Sequence, residues 1–133
     1  MTQTLIQATL LSEFQTATAA VCDFDYAIVS QDPPDETFVQ AGTSFTREII
    51  LRNAGDCAWE RLTALNFVSG ENFNIGARVV IRDRVEINEQ VTLTLSGQAP
   101  RSNGLLSGVF ELRTPGQLLV GKPLTLTVNV FGA

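Results

Sequence analysis

Cys22 and Cys57 are the residues best suited to covalent chemistry in a chain of 133 residues that has no histidine. Without an imidazole, neither a Ser-His-Asp nor a Cys-His nucleophile can be assembled, and the usual histidine-containing zinc sites go with them. Two thiols are too few for a cysteine-only zinc site, but they suffice for one disulfide. Carboxylate pairs could serve glycoside hydrolysis, with Glu48, Glu60, Glu86 and Glu111 as the candidates. All four sit in strand-like alternating runs, where an outward charge is ordinary, and no pocket is legible that would raise one carboxyl's pKa. Asp23, Asp25, Asp32, Asp35 and Glu36 could offer oxygen ligands to calcium. They lack the spacing and turn glycine of an EF-hand loop, and a solvated acidic edge explains them better. No glycine-rich loop follows a strand and opens a helix, so nucleotide binding has no support. The expectation is a non-enzymatic chain with no catalytic residue, no metal and no cofactor.

The partner classes narrow in the same way. A net charge of -5 argues against nucleic acid, which requires clustered basic residues. Arg78, Arg82 and Arg84 form the one basic group, and Asp83 and Glu86 dilute it into a solvated strand face. Hydrophobic residues at 44% against 17% charged ones are too many for disorder, and they imply apolar surface that meets a protein partner. No run approaches the ~18 apolar residues of a membrane span. The segment after Met1 has neither a basic n-region nor an unbroken apolar core, so no intact signal sequence is read there. Carbohydrate platforms need exposed Trp or Tyr, and only Trp59 and Tyr26 exist beside eight phenylalanines at strand positions.

These residues must be held by something, and composition divides the chain into an arm over 1–22 and a domain over 23–133. The arm, "MTQTLIQATLLSEFQTATAAV" and Cys22, is rich in Thr and Ala and has no Gly or Pro. Leu5, Ile6, Leu10, Leu11 and Phe14 suit a loose helical stripe or an extended strand equally. Either form could pack into a neighbouring copy, in a groove or along a sheet edge, and repetition of that contact would build a filament. From residue 24 onward, short β-rich runs alternate with turns: "FDYAIVS", "FTREIILRN", "ERLTALNFV", "ARVVI", "VEINEQVTLTLSG", "LSGVFELR" and "KPLTLTVNV". Alternation is cleanest in Leu124, Leu126, Val128 and Val130 against Thr125, Thr127 and Asn129, which gives each strand one buried and one wet face. Pro33 and Pro34 forbid a central strand, and Pro115-Gly116 fits the middle of a type II turn closing a hairpin. Seven or eight such strands predict an all-β, antiparallel β-sandwich. Cys22 precedes the first strand and Cys57 follows the turn that ends the second. Adjacent strand ends can bring such positions together, so a disulfide stands against the alternative of two free thiols.

The order "FVQAGTSFTREIILRNAGDCAW", "LNFVSGENFNIGA", "NEQVTLTLSGQAP" and "GVFELRTPGQLLVG" resembles the Ig-like domain of the next-to-BRCA1 family, also called the four-tryptophan domain. Its most specific part here is Leu51, Arg52, Asn53, Gly55, Cys57 and Trp59, joined to Phe67, Val68, Ser69 and Gly70. Of the four tryptophans, Trp59 alone remains; Ile49, Phe110 and Thr125 stand at the other places. Ile49 and Phe110 can still fill a core, whereas Thr125 cannot replace a tryptophan's area. The resemblance implies an immunoglobulin-like sandwich acting as an interaction or structural module, with partners that are proteins. Bacterial relatives look like extracellular or cell-surface modules behind Thr-rich linkers, and the arm is similar to those.

Overall fold

The computed structural model describes residues 21–133. The arm's Leu5, Ile6, Leu10, Leu11 and Phe14 lie outside the described residues. Among the described residues the alternating runs form eight strands and no helix: β1 Tyr26–Asp32, β2 Phe38–Gln40, β3 Ser44–Asn53, β4 Thr63–Gly70, β5 Arg78–Ile81, β6 Gln90–Gln98, β7 Gly104–Arg113 and β8 Leu124–Phe131. They make a smaller sheet, β1-β3-β6, and a larger one, β2-β8-β7-β4-β5. Register explains the core. Ile49 faces Leu93 across β3 and β6, and Phe110 faces Leu124 across β7 and β8, so one face of each sheet is apolar. Ile49, Leu51, Leu93 and Leu95 pack with Leu65, Phe110, Leu112 and Leu126 in one cluster between the sheets. Each such buried side chain is worth about 1.5–3 kcal/mol.

Several expectations change in detail. The pairing is antiparallel except at β2, which runs parallel to β8 with Phe38 opposite Asn129. The stretch holding Pro33 and Pro34 carries the chain from the smaller sheet to the larger, where β2 lies at an edge and needs partners on one side only. "VEINEQVTLTLSG" is not one strand. Asn88 has a positive φ of 67° and Glu89 bonds back to Glu86, so Val85 makes an isolated bridge and β6 begins at Gln90. The Pro115-Gly116 turn is not type II, because the positive φ (71°) falls on Gln117. Thr114 N–H donates to the Leu118 carbonyl at 2.9 Å, which leaves a three-residue loop whose last residue is left-handed. Thr125 lies exposed on the outer face between Leu124 and Leu126, so no tryptophan-sized space in the core depends on it.

One polar group sits among the inward residues of β3. Arg47 shares the face of Ile49 and Leu51 and is 1% exposed. Its guanidinium donates to Asp35 Oδ1 at 2.6 Å and to the carbonyls of Pro34 and Thr127 at 3.2 Å each. Asp35 also accepts the Thr127 N–H at 2.9 Å. The pair therefore fastens the crossover between sheets to β8. Asp35→Ala is expected to cost about 2 kcal/mol, less than a fully buried pair would because Asp35 is 41% exposed, since it strands the buried cation. Arg47→Met is expected to cost less than half as much, because it removes the charge along with its need for a partner. Urea midpoints of the two variants check the order, and an Asp35→Ala midpoint equal to wild type would contradict it.

Candidate interaction surface

The two cysteines meet at one end of the sandwich, and what they build there is structural. Cys22 and Cys57 are joined, with their Cα atoms 5.7 Å apart. The segment leading into β1 runs beside the turn after β3: Ala54 N–H donates to the Asp25 carbonyl and Asp56 N–H to the Asp23 carbonyl, both at 3.1 Å. Asp56 Oδ1 accepts Asp23 N–H at 2.8 Å. Asn53 holds the turn from inside. Its Nδ2 donates to the carbonyls of Cys57 (3.0 Å) and Val85 (3.1 Å), and its Oδ1 accepts Gly55 N–H at 3.0 Å. A Cβ on Gly55 would run into the Asp23 carbonyl, which explains why glycine stands there. Gly70, with a φ of 83°, faces the Ser107 carbonyl just as closely.

Trp59 bonds to Val85 through both backbone groups, at 2.8 and 3.0 Å, and its ring is fully buried. Its indole N–H finds no acceptor among the described residues. Leu51 and Phe110 are buried in the same core, and Phe67 packs against Phe110 edge to face at 5.5 Å. Tyr26 closes the other flank. Its hydroxyl donates to the Lys122 carbonyl at 2.9 Å, and burial, then the nearby Asp25 carboxylate, raises its pKa above the ordinary phenol value.

The carboxylates are not brought together. Glu48 lies on the smaller sheet opposite Asp32, and Glu60 lies between Trp59 and β4. Glu86 pairs with Arg84 at 2.7 Å and Glu111 with Arg113 at 2.9 Å. Of the acidic stretch, Asp35 is engaged by Arg47 and Asp23 and Asp25 by the turn beside them. Among the described residues no group of three or more Asp, Glu or Cys is disposed to hold a metal.

What the larger sheet presents outward is apolar at one corner. Phe38 of β2 is 67% exposed, Leu105 of β7 56% and Phe131 of β8 47%. Register aligns Phe38, Asn129 and Leu105 across three adjacent strands, with Phe131 two residues beyond Asn129 on the same face. The rings of Phe38 and Phe131 meet edge to face at 6.3 Å. The next pair along, Ser107 and Thr127, bonds hydroxyl to hydroxyl at 2.9 Å and gives the patch a polar border. An exposed apolar patch with a polar rim is the usual mark of a protein contact. Two partly exposed phenylalanines and a leucine fall short of the ~800 Å² per partner of a standard interface, so they anchor a contact that also takes in the rim. Sequence reading missed this surface. Phe131 and Leu105 are out of phase with the buried Val130 and the partly buried Leu106, a signal that was available; Phe38 carried none.

A family model described as Ig-like domain from next to BRCA1 gene matches residues 33–130. No curated protein matches the chain.

Proposed function

Because the chain belongs to the family of Ig-like domains from next to BRCA1 gene, a fold that points to interaction with proteins, we propose that it is a non-enzymatic interaction module of an extracellular or cell-surface protein and that it engages its partner through the Phe38–Leu105–Phe131 face. The observation that carries this reading is the aromatic corner itself, because phenylalanines that could be buried are instead held out to solvent by strand register. The Cys22–Cys57 bridge supports the setting, since disulfides persist in oxidising compartments. A bacterial surface, with residues 1–22 as a linker to the domain over 23–133, fits the composition of the arm.

The test is a fold-neutral double substitution. Phe38→Ser/Phe131→Ser is expected to weaken binding of a partner isolated from the protein's own extracellular medium by about thirtyfold, the weight of a typical anchoring residue, while the melting temperature stays near wild type. Unchanged affinity in a folded double variant would refute the assignment of this face. A carbohydrate-binding role lacks comparable support, because Trp59 is buried and the Tyr26 hydroxyl is committed to Lys122. Assembly into a filament through the arm is read from the mass of the full chain at high concentration.

A further inference from the structure

The loop that delivers the chain to β7 carries a reactive pair. Asn103 is exposed and, of the seven asparagines in the chain, it alone is followed by glycine; Ala, Phe, Ile, Glu or Val follow the others. A backbone nitrogen can attack the side-chain carbonyl carbon of the residue before it and close a five-membered ring, and a Cβ on the attacking residue crowds that approach. Gly104 has none, and nothing stands within 4 Å of the place where one would be. It is also the first residue of β7, so the linkage to Asn103 lies at the end of the ladder and outside it. Beside that strand end, Ala133 N–H donates to Asn103 Oδ1 at 2.9 Å. The bond draws electron density from Cγ and steadies the negative charge that develops on Oδ1 as the ring closes, the role of an oxyanion donor.

We propose that Asn103 is a self-modification site, converted through a cyclic imide into a carboxylate at the border of the aromatic corner. In the first step a bond forms between Gly104 N and Asn103 Cγ, the bond from Cγ to Nδ2 breaks, and Nδ2 leaves as ammonia with the proton that Gly104 gives up. Water then opens the ring. Addition at Cγ leaves aspartate, whereas addition at the main-chain carbonyl carbon of residue 103 leaves isoaspartate, with the chain running through Cγ. One water is consumed and one ammonia released, with no change of oxidation state. Register sets where the new charge falls. Gly104 pairs with Val130 and Leu105 with Asn129, so one step further Asn103 stands across from Phe131. The carboxylate therefore joins the border of the surface made by Phe38, Leu105 and Phe131. Covering it with a partner costs desolvation, so modification weakens a contact made there. This last step rests on the reading of that face as a contact surface.

The full chain kept warm at mildly alkaline pH, then digested and weighed peptide by peptide, tests the chemistry. The peptide from Ser102 to Arg113 is expected to gain about 1 Da, as aspartate and isoaspartate, roughly tenfold faster than any peptide holding another asparagine. Asn103→Gln, whose longer side chain would have to close a larger ring, is expected to stay unchanged. Asn103→Asp, one product made by substitution, is expected to keep the wild-type melting temperature and to bind the partner used for the phenylalanine variants about tenfold more weakly. An Asn103 peptide that ages no faster than the rest would overturn the modification. Full affinity in Asn103→Asp, where Phe38→Ser/Phe131→Ser has lost it, would overturn its effect on the corner. Full affinity in all of these variants refutes the assignment of the face instead, and the mass of the peptide still decides the chemistry.

Discussion

Trp59→Ala is expected to destabilise the domain by about 3–5 kcal/mol, the range for deleting a large buried aromatic. The ring is fully enclosed, and the backbone around it has little freedom to collapse, because Trp59 and Val85 are joined by two hydrogen bonds and Asn53 binds the same Val85 carbonyl. The void would therefore persist. Trp59→Phe separates ring volume from the indole N–H. Since that N–H has no acceptor among the described residues, the phenylalanine variant is expected to lose packing alone, about 1–2 kcal/mol. Urea unfolding followed by circular dichroism measures both. A Trp59→Ala cost below 1 kcal/mol would mean that the residue is not the centre of this end of the core.

Loss of the bridge ranks beside it. Cys22→Ala/Cys57→Ala opens a loop spanning 35 positions, and the chain-entropy relation puts the cost at about 3–4 kcal/mol. The bonds from Ala54 and Asp56 to the segment before β1 remain, so the variant is expected to keep its strands and unfold at lower denaturant. Thiol titration of the protein purified from its native source, under denaturing, non-reducing conditions, is the direct check. Two free thiols there would remove the bridge and, with it, the strongest support for an oxidising compartment.

Where a residue's environment was local, it was legible from the sequence. Leu124, Leu126, Val128 and Val130 alternate with polar residues over a whole strand, and all four are buried. Cys22 and Cys57 flank strands that turn out to be paired neighbours, so their proximity followed from chain order. Asn53, Gly55 and Trp59 were recognisable as a signature, though the reasons became visible only in three dimensions: three hydrogen bonds, a backbone contact and an enclosed ring. What stayed hidden depended on distant parts of the chain. Arg47 has the phase of a core residue, yet its acceptors come from residue 127 as well as from 34 and 35, and no local pattern announces such a partner. β2 has only three residues and owes its existence to β8. Phe38 could not be assigned a face until that pairing was known, and the aromatic corner depends on it.

The bridge beside β1 also decides how this domain would carry a pull. Tension arriving at Val21 passes from Cys22 to Cys57 through the sulfur atoms, and residues 23–56, including β1, β2 and β3, sit in a closed loop that bears none of it directly. The load enters instead at Trp59 and β4, inside the larger sheet, and leaves through β8 in that same sheet. An oxidised domain stretched from its ends should therefore lengthen by roughly 110 Å less than a reduced one, at about 3.3 Å for each of the residues held back. In a surface setting, that makes the bridge a safeguard for the edge strand that would otherwise peel first.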